Sequence, residues 1–270
     1  MSNLPVYLLT FLAYGALSAF FLRRQLAGQA ESKNRGFLEN LVLMPLMLHG
    51  YLLYSAMWMH GTLNLGLVNT LSLIMWLTIL VYWFTHFFYP LASLKAMVLP
   101  LAGVAAILPA LFPPTRNLST MHSWAFDAHV LAAMLAYSLF TVGALHAGLM
   151  SLVERNLHRA RMPVLLRNLP PLLTMEILLF RLIGAGFVLL TLTLVSGSIF
   201  SEQIFGKAWQ FNHKVLFGFI SWLVFCVLLA GHHFYGWRGR KAVSWTMSGF
   251  GFLVLAYIGS QFVLEVVLRR

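Results

Sequence analysis

Eight long apolar runs, separated by short polar links, dominate this sequence of 270 residues. They fall at about 4–22, 39–60, 67–88, 93–111, 127–152, 176–199, 214–232 and 244–268. Crossing the hydrocarbon core of a bilayer takes roughly 20 residues of α-helix, and each run has about that length. Only 9% of the residues are charged, whereas soluble chains carry about a quarter, and the mean hydropathy is +0.81. Too few polar side chains exist to clothe a water-facing surface. The spacing predicts an all-α polytopic membrane helix bundle with about eight transmembrane helices, and 1–270 reads as a single membrane domain. Membrane β-barrel strands would alternate over about ten residues, and these runs do not. The first run lacks a basic stretch before it and a small-residue cleavage site, so it reads as a retained helix rather than a signal peptide.

The net charge of +11 would suit nucleic acid, but its distribution does not. Arg23, Arg24, Lys33, Arg35, Lys95, Arg155, Arg159, Arg161, Arg167, Arg181, Arg238, Arg240 and Lys241 fall on one side if successive helices alternate. That side holds thirteen basic residues, against five on the other: Arg116, Lys207, Lys214, Arg269 and Arg270. This is the positive-inside pattern. It puts both termini outside the cytoplasm and makes membrane lipid, not nucleic acid, the partner of the basic charge. The one cysteine, Cys226, lies deep in the seventh run. It permits neither a disulfide framework nor a CxxCH haem-attachment motif, so the chain is not itself a c-type cytochrome.

Ten histidines are many for so apolar a chain. His60, His122, His129 and His213 belong to an outer layer, and His86, His146, His158, His232 and His233 to an inner one. His49 falls near mid-membrane. A lone membrane histidine commonly serves as a hydrogen-bond partner between helices. Two outer histidines from different helices, beside aromatic residues, allow more, because neutral imidazole is the usual axial ligand of haem iron. Lys207 and Lys214 would then suit the propionates. Asp127 is either a dipole partner for the start of its helix or an orienting partner for an imidazole, and Glu176 suits the first turn of the sixth helix. With seven acidic residues in all, no two-carboxylate hydrolase is supported, and no Walker A or dinucleotide-binding glycine pattern occurs. "GAG" at 184–186, "SGS" at 196–198 and "SGFG" at 248–251 mark places where helices approach closely.

Several stretches together carry a resemblance. "HVLAAMLAYSLFTVGAL" (129–145) opens a helix with a histidine, "PPLLTMEILLFRLIGAGFVLLTLTLVSG" (170–197) runs Glu, Phe-Arg, Gly-Phe, Leu-Leu-Thr and Gly, and "GWRGRKA" (236–242) and "AYIGSQF" (256–262) come after them. In these the chain resembles the cytochrome c assembly family of membrane proteins, and most closely its short eight-helix branch. The resemblance is strongest over 121–262. That family's haem-binding signature reads Trp-Gly-x-x-Trp-x-Trp-Asp-Pro-Lys-Glu, and "FGKAWQFNHKV" (205–215) falls on it without a gap. Gly206, Trp209 and Lys214 keep the residue type. Phe205 and Phe211 keep aromaticity, Asn212 takes the aspartate position and His213 the proline position.

The resemblance implies haem as the bound group, held at the outer face by histidines under an aromatic loop. The implied iron ligands are His129 and His213, with Trp209, Phe211 and Lys214 around them. The family's second outer histidine, after the last helix, has no counterpart in "FVLEVVLRR", so His213 stands in as the partner of His129. An inner site would use His49 with His232. The implied function is haem handling in c-type cytochrome assembly at a bacterial inner membrane, as an assembly factor rather than an enzyme. Its partners would be an apocytochrome or other cytochrome assembly proteins. The alternatives are a small-molecule transporter and a non-haem membrane assembly scaffold.

The charge bias makes the topology testable. In a Cys226→Ser background, a cysteine placed at 153–168 is expected to resist an impermeant maleimide in intact cells and to react after permeabilisation. Labelling from outside would reverse the orientation.

Overall fold

The computed structural model describes residues 3–27, 35–57, 64–88, 92–112, 124–158, 163, 169–205 and 213–262. Among them are helices and short turns, and no strand. The helices are α1 (Leu4–Leu26), α2 (Arg35–Asn40), α3 (Leu43–Met57), α4 (Leu67–Thr85), α5 (Ala92–Leu111), α6 (Trp124–His158), α7 (Leu172–Phe205), α8 (His213–Tyr235) and α9 (Gly239–Val254). A π-helical turn, Leu255–Gly259, and a last short α10 (Ser260–Phe262) close the described chain. Among the described residues, seven spans are long and apolar enough to cross a membrane. The remaining run is α5, whose apolar part, Met97–Leu111, is shorter and carries Pro100 and Pro109 inside the helix.

The second run is broken where its sequence requires. Pro45 has no N–H, and its ring clashes with the carbonyl four residues back, that of Leu41. The chain turns at 41–42, between α2 and α3, and resumes with a bond from Leu46 N to Val42 O at 3.1 Å.

The chain forms two compact units, Met1–Ser119 with Val153–Pro171, and Thr120–Leu152 with Leu172–Arg270. In the first, α5 packs on α1 and α4, and α3 on α4 and α1. The buried residues of α1 are Thr10, Tyr14, Ser18 and Gln25, while Leu8, Leu9, Leu12 and Phe20 are exposed. A helix in lipid can turn its apolar side chains outward, since hydrocarbon solvates them as well as a core does. Gly103 of α5 makes room for Tyr14: a Cβ there would stand 3.2 Å from Tyr14 Cβ. Gly50 does the same for Trp76, whose Nε1 donates to Leu46 O at 2.8 Å and so fixes α4 against α3.

In the second unit, α8 packs against α7, α9 and the π turn. Phe140 of α6 and Phe225 of α8 stack with ring centroids 4.0 Å apart, both fully buried. Gly186 and Gly249 flank this pair, and a Cβ on Gly249 would lie 2.8 Å from Phe225 Cζ. Beside it, Ser221 Oγ donates to Gly249 O at 2.8 Å. The α8–α9 turn uses two glycines in the left-handed region, Gly236 at φ 63° and Gly239 at φ 54°.

A side chain at 249 must displace an aromatic ring in a packed core. Gly249→Val is expected to cost about 1–3 kcal/mol, the usual range for overpacking. The check is the melting temperature of the detergent-solubilised protein. Adding Phe225→Leu should recover part of the loss.

Candidate functional site

One end of the second unit gathers the starts of α6 and α8 with the later parts of α7 and of the last helix. His129, in the second turn of α6, is half-buried, and Phe126 stacks beside it at 6.5 Å between ring centroids. Its Nδ1 lies 2.7 Å from Ser196 Oγ on α7. The Ser196 hydroxyl donates its own proton to Leu192 O at 2.7 Å. With its hydroxyl turned to Leu192 O, Ser196 can accept from a proton on His129 Nδ1. The next residue, Gly197, leaves space for the ring: a Cβ there would be 3.4 Å from His129 Cε1. Lys214, near the start of α8, is close enough for its ammonium to act on His129. Its Nζ lies 4.7 Å from the centre of the Tyr257 ring in the π turn. Tyr257 is set in turn by Tyr137, 6.0 Å away between ring centroids, and Tyr137 is anchored by donating to Leu253 O at 2.9 Å.

His213 is the first residue of α8 and is exposed. Trp209, Phe211 and Asn212 lie outside the described residues, as do His60, His122 and Lys207. The described residues thus bring His129, Ser196, Lys214 and Tyr257 to one end of the unit.

The other end gathers a second group. His232, near the end of α8, stacks on Phe180 of α7 with centroids 3.5 Å apart. Its Nδ1 bonds Trp237 O at 3.0 Å. A carbonyl only accepts, so here Nδ1 carries the proton and Nε2 the lone pair. Trp237 packs on Gly231, where a Cβ would meet the indole at 2.5 Å. Buried His146 uses its Nε2–H on Met175 O at 2.8 Å. Because α7 starts at Leu172, Glu176 falls beyond the first turn, and it pairs with Arg238 at 3.5 Å.

His49 lies in the first unit and is fully buried. Its Nε2 is 2.9 Å from Ser72 Oγ on α4, and its Nδ1 is 3.4 Å from Tyr14 Oη on α1. No group of three or more metal-ligating side chains occurs among the described residues. Ser196 and Tyr257 were not singled out from sequence as site residues. Ser196 sits in "SGS", a packing motif whose only further signal is its place near the end of a helix opposite His129.

The profile of a family described as Cytochrome C assembly protein matches residues 37–268. The chain belongs to that family. Over 139 residues it is 31% identical to inner membrane protein YpjD of Escherichia coli K12, covering 52% of each chain. It is 28% identical over 200 residues to the cytochrome c biogenesis protein CcsA of Prochlorococcus marinus MIT 9515, covering 64% of this chain and 62% of that one. A shorter match, 34% identical over 86 residues, links it to CcsA of Synechocystis sp. PCC 6803. The chain thus spans about half the length of YpjD. A cytochrome c assembly membership and a multi-pass inner-membrane location agree with the seven apolar spans.

If Ser196 holds the His129 ring, Ser196→Ala should be destabilising, with a coupling to His129 of about 0.6 kcal/mol, the average for such bonds between membrane helices. In a His129→Ala background the same change should cost less. A melting-based double-mutant cycle measures the difference, and equal costs would show the bond contributes nothing.

Proposed function

We propose that this protein handles haem as cargo in c-type cytochrome assembly, with both termini outside the cytoplasm and the haem bound at the His129 end of the second unit. The observation that carries the reading is the Ser196 contact. A ligating histidine needs its other ring nitrogen hydrogen-bonded, so that the ring is oriented and the lone pair points outward. Ser196 meets that requirement for His129, because its own proton is engaged by Leu192 O. The donor set fits haem iron: an imidazole lone pair, aromatic neighbours and a nearby ammonium.

In this reading His129 and His213 would hold the haem iron, and Trp209 and Phe211 would cover the macrocycle. Lys214, braced on the Tyr257 ring, meets a propionate, where an ammonium pairs with a carboxylate as a point charge. His232 has its Nδ1 held in a comparable way at the far end of the unit, on a Phe180 platform, and suits a second, inner contact with haem. His49 would have to give up the hydrogen bond at one ring nitrogen to ligate iron. Haem supplies the group that an apocytochrome, or another assembly protein acting before it, receives. The chain's own residues bind it, orient it and shield it from water.

The test is the absorption of the detergent-purified chain, oxidised and reduced. Wild type is expected to show a Soret band, and His129→Ala and His213→Ala to shift or abolish it, with added imidazole partly restoring it. Lys214→Ala should weaken haem retention more gently. Colourless wild-type protein from haem-replete cells, or normal pigment in His129→Ala, would defeat the reading and favour a scaffold or transporter.

A further inference from the structure

The end of the second unit that holds the α8–α9 turn carries more positive charge than its own acids offset. Arg181 of α7, Arg238 in the turn, and Arg240 and Lys241 at the start of α9 are all exposed there. The described acids of this unit are Asp127, Glu176 and Glu202. Asp127 opens α6 and Glu202 lies near the end of α7, both at the His129 end. That leaves Glu176, which Arg238 Nε meets at 3.5 Å. The contact uses one edge of the guanidinium and leaves its two terminal nitrogens for a second acid. Lys241 Nζ stands 5.7 Å from the centre of the Trp237 ring.

These cations stand on a fixed frame rather than on a solvated loop. Gly236 N bonds His232 O and Trp237 N bonds Gly231 O, each at 3.1 Å. The Trp237 carbonyl returns to His232 Nδ1 at 3.0 Å, and the Trp237 ring packs against Trp245 with centroids 5.4 Å apart. Side chains set on a frame that is already ordered lose less freedom when they bind. Just before the turn, Phe234 and Tyr235 are 75% and 79% exposed at the end of a span long enough to cross a membrane.

From this charge excess and its aromatic flank we propose that the α8–α9 turn is a binding site for one anionic phospholipid, of the phosphatidylglycerol kind. Its phosphodiester lies against Arg238, Arg240 and Lys241, and its glycerol and upper acyl chains lie along Phe234 and Tyr235. Aromatic side chains at the end of a span sit at the level of the headgroups. The cations that follow directly therefore stand at the depth of the lipid phosphates. A guanidinium fork matches two phosphate oxygens at once, and the lysine adds a point charge. Basic pockets beside membrane spans hold anionic headgroups in this way. A free anion would leave the exposed rings unused, whereas a lipid engages both the charge and the apolar surface. The positive-inside bias sums charge over whole loops. The site proposed here is one turn of defined geometry, and it is independent of the haem-binding reading.

The test puts a reporter beside the turn. In a Cys226→Ser background, Ser244→Cys, exposed on α9 one turn beyond Arg240, is labelled with bimane in the detergent-purified full chain. Phosphatidylglycerol brominated in its acyl chains is then titrated in. Quenching is expected to saturate, and the same chains on phosphatidylcholine to quench only at much higher concentration. Arg240→Gln and Lys241→Gln should each raise the half-quenching concentration about fivefold, and together about 25-fold, the usual effect of a basic residue near anionic lipid. The pair Arg23→Gln and Arg24→Gln removes the same charge from the first unit and should leave the titration unchanged. All variants should elute as the labelled parent does on size exclusion. Three results overturn the site. Phosphatidylcholine quenching at the same concentration removes the charge selectivity. An equal loss in the Arg23 and Arg24 pair reduces the effect to net charge. Displacement of the lipid by millimolar inorganic phosphate makes the turn a phosphate site only.

Discussion

A histidine in hydrocarbon has two ring nitrogens and no water for either, so its protein neighbours decide which one carries the proton. Much of the arrangement at both ends of the second unit depends on that choice. Trp237 O acts as an acceptor and holds the proton of His232 on Nδ1, and Ser196 can do the same for His129. Each acceptor needs support of its own. Ser196 takes its orientation from Leu192 O. Trp237 O reaches back to His232 because Gly236 adopts a left-handed conformation and Gly231 leaves the indole a place to lie. The two glycines thus serve the histidine indirectly.

The π turn has a comparable part at the His129 end. An i→i+5 turn inserts an extra residue into the helix and rotates the residues after it by roughly 100°. The carbonyls it disturbs are taken up locally, since Ser260 Oγ bonds both Ala256 O at 3.0 Å and Tyr257 O at 2.8 Å. Within that turn Tyr257 presents its ring to Lys214. An ammonium over an aromatic face keeps much of its charge stabilisation while leaving water, which gives a lysine at the start of a membrane span a defined position.

The helices were legible from hydrophobic run length alone, because lipid demands long uninterrupted helices. Even the break at 41–42 has a local cause in Pro45. The second run thereby became two helices, and the last ended in a π turn that no propensity signals. The positions of His129 and Lys214 at one end came from helix alternation and from the matching signature. The partners stayed illegible. Ser196, Tyr257 and Trp237 act through contacts between residues distant in sequence, and "SGS" reads as packing until the histidine facing it is known. The polar interior of the first unit was likewise hidden, because a Thr, Tyr, Ser and Gln scattered through a Leu-rich helix show no charge. Of the aromatic loop, Trp209 and Phe211 lie outside the described residues, so the site is built from its helical frame.

Proton placement also separates the histidines by use. Nε2 is the nitrogen furthest from the backbone, whereas Nδ1 is crowded by the residue's own Cβ. A flat macrocycle can approach the first far more easily than the second. His146 has its Nε2 engaged with Met175 O and leaves its Nδ1 buried without a partner among the described residues. That geometry ties α6 to the start of α7 and leaves no nitrogen for a large ligand. His129 and His232 have the reverse arrangement, with Nδ1 held by Ser196 Oγ and by Trp237 O respectively. His49 has neither, since both of its nitrogens face hydroxyls that can give or take a proton. One residue type, given three kinds of neighbour, is thus held in three different ways within a single polytopic chain.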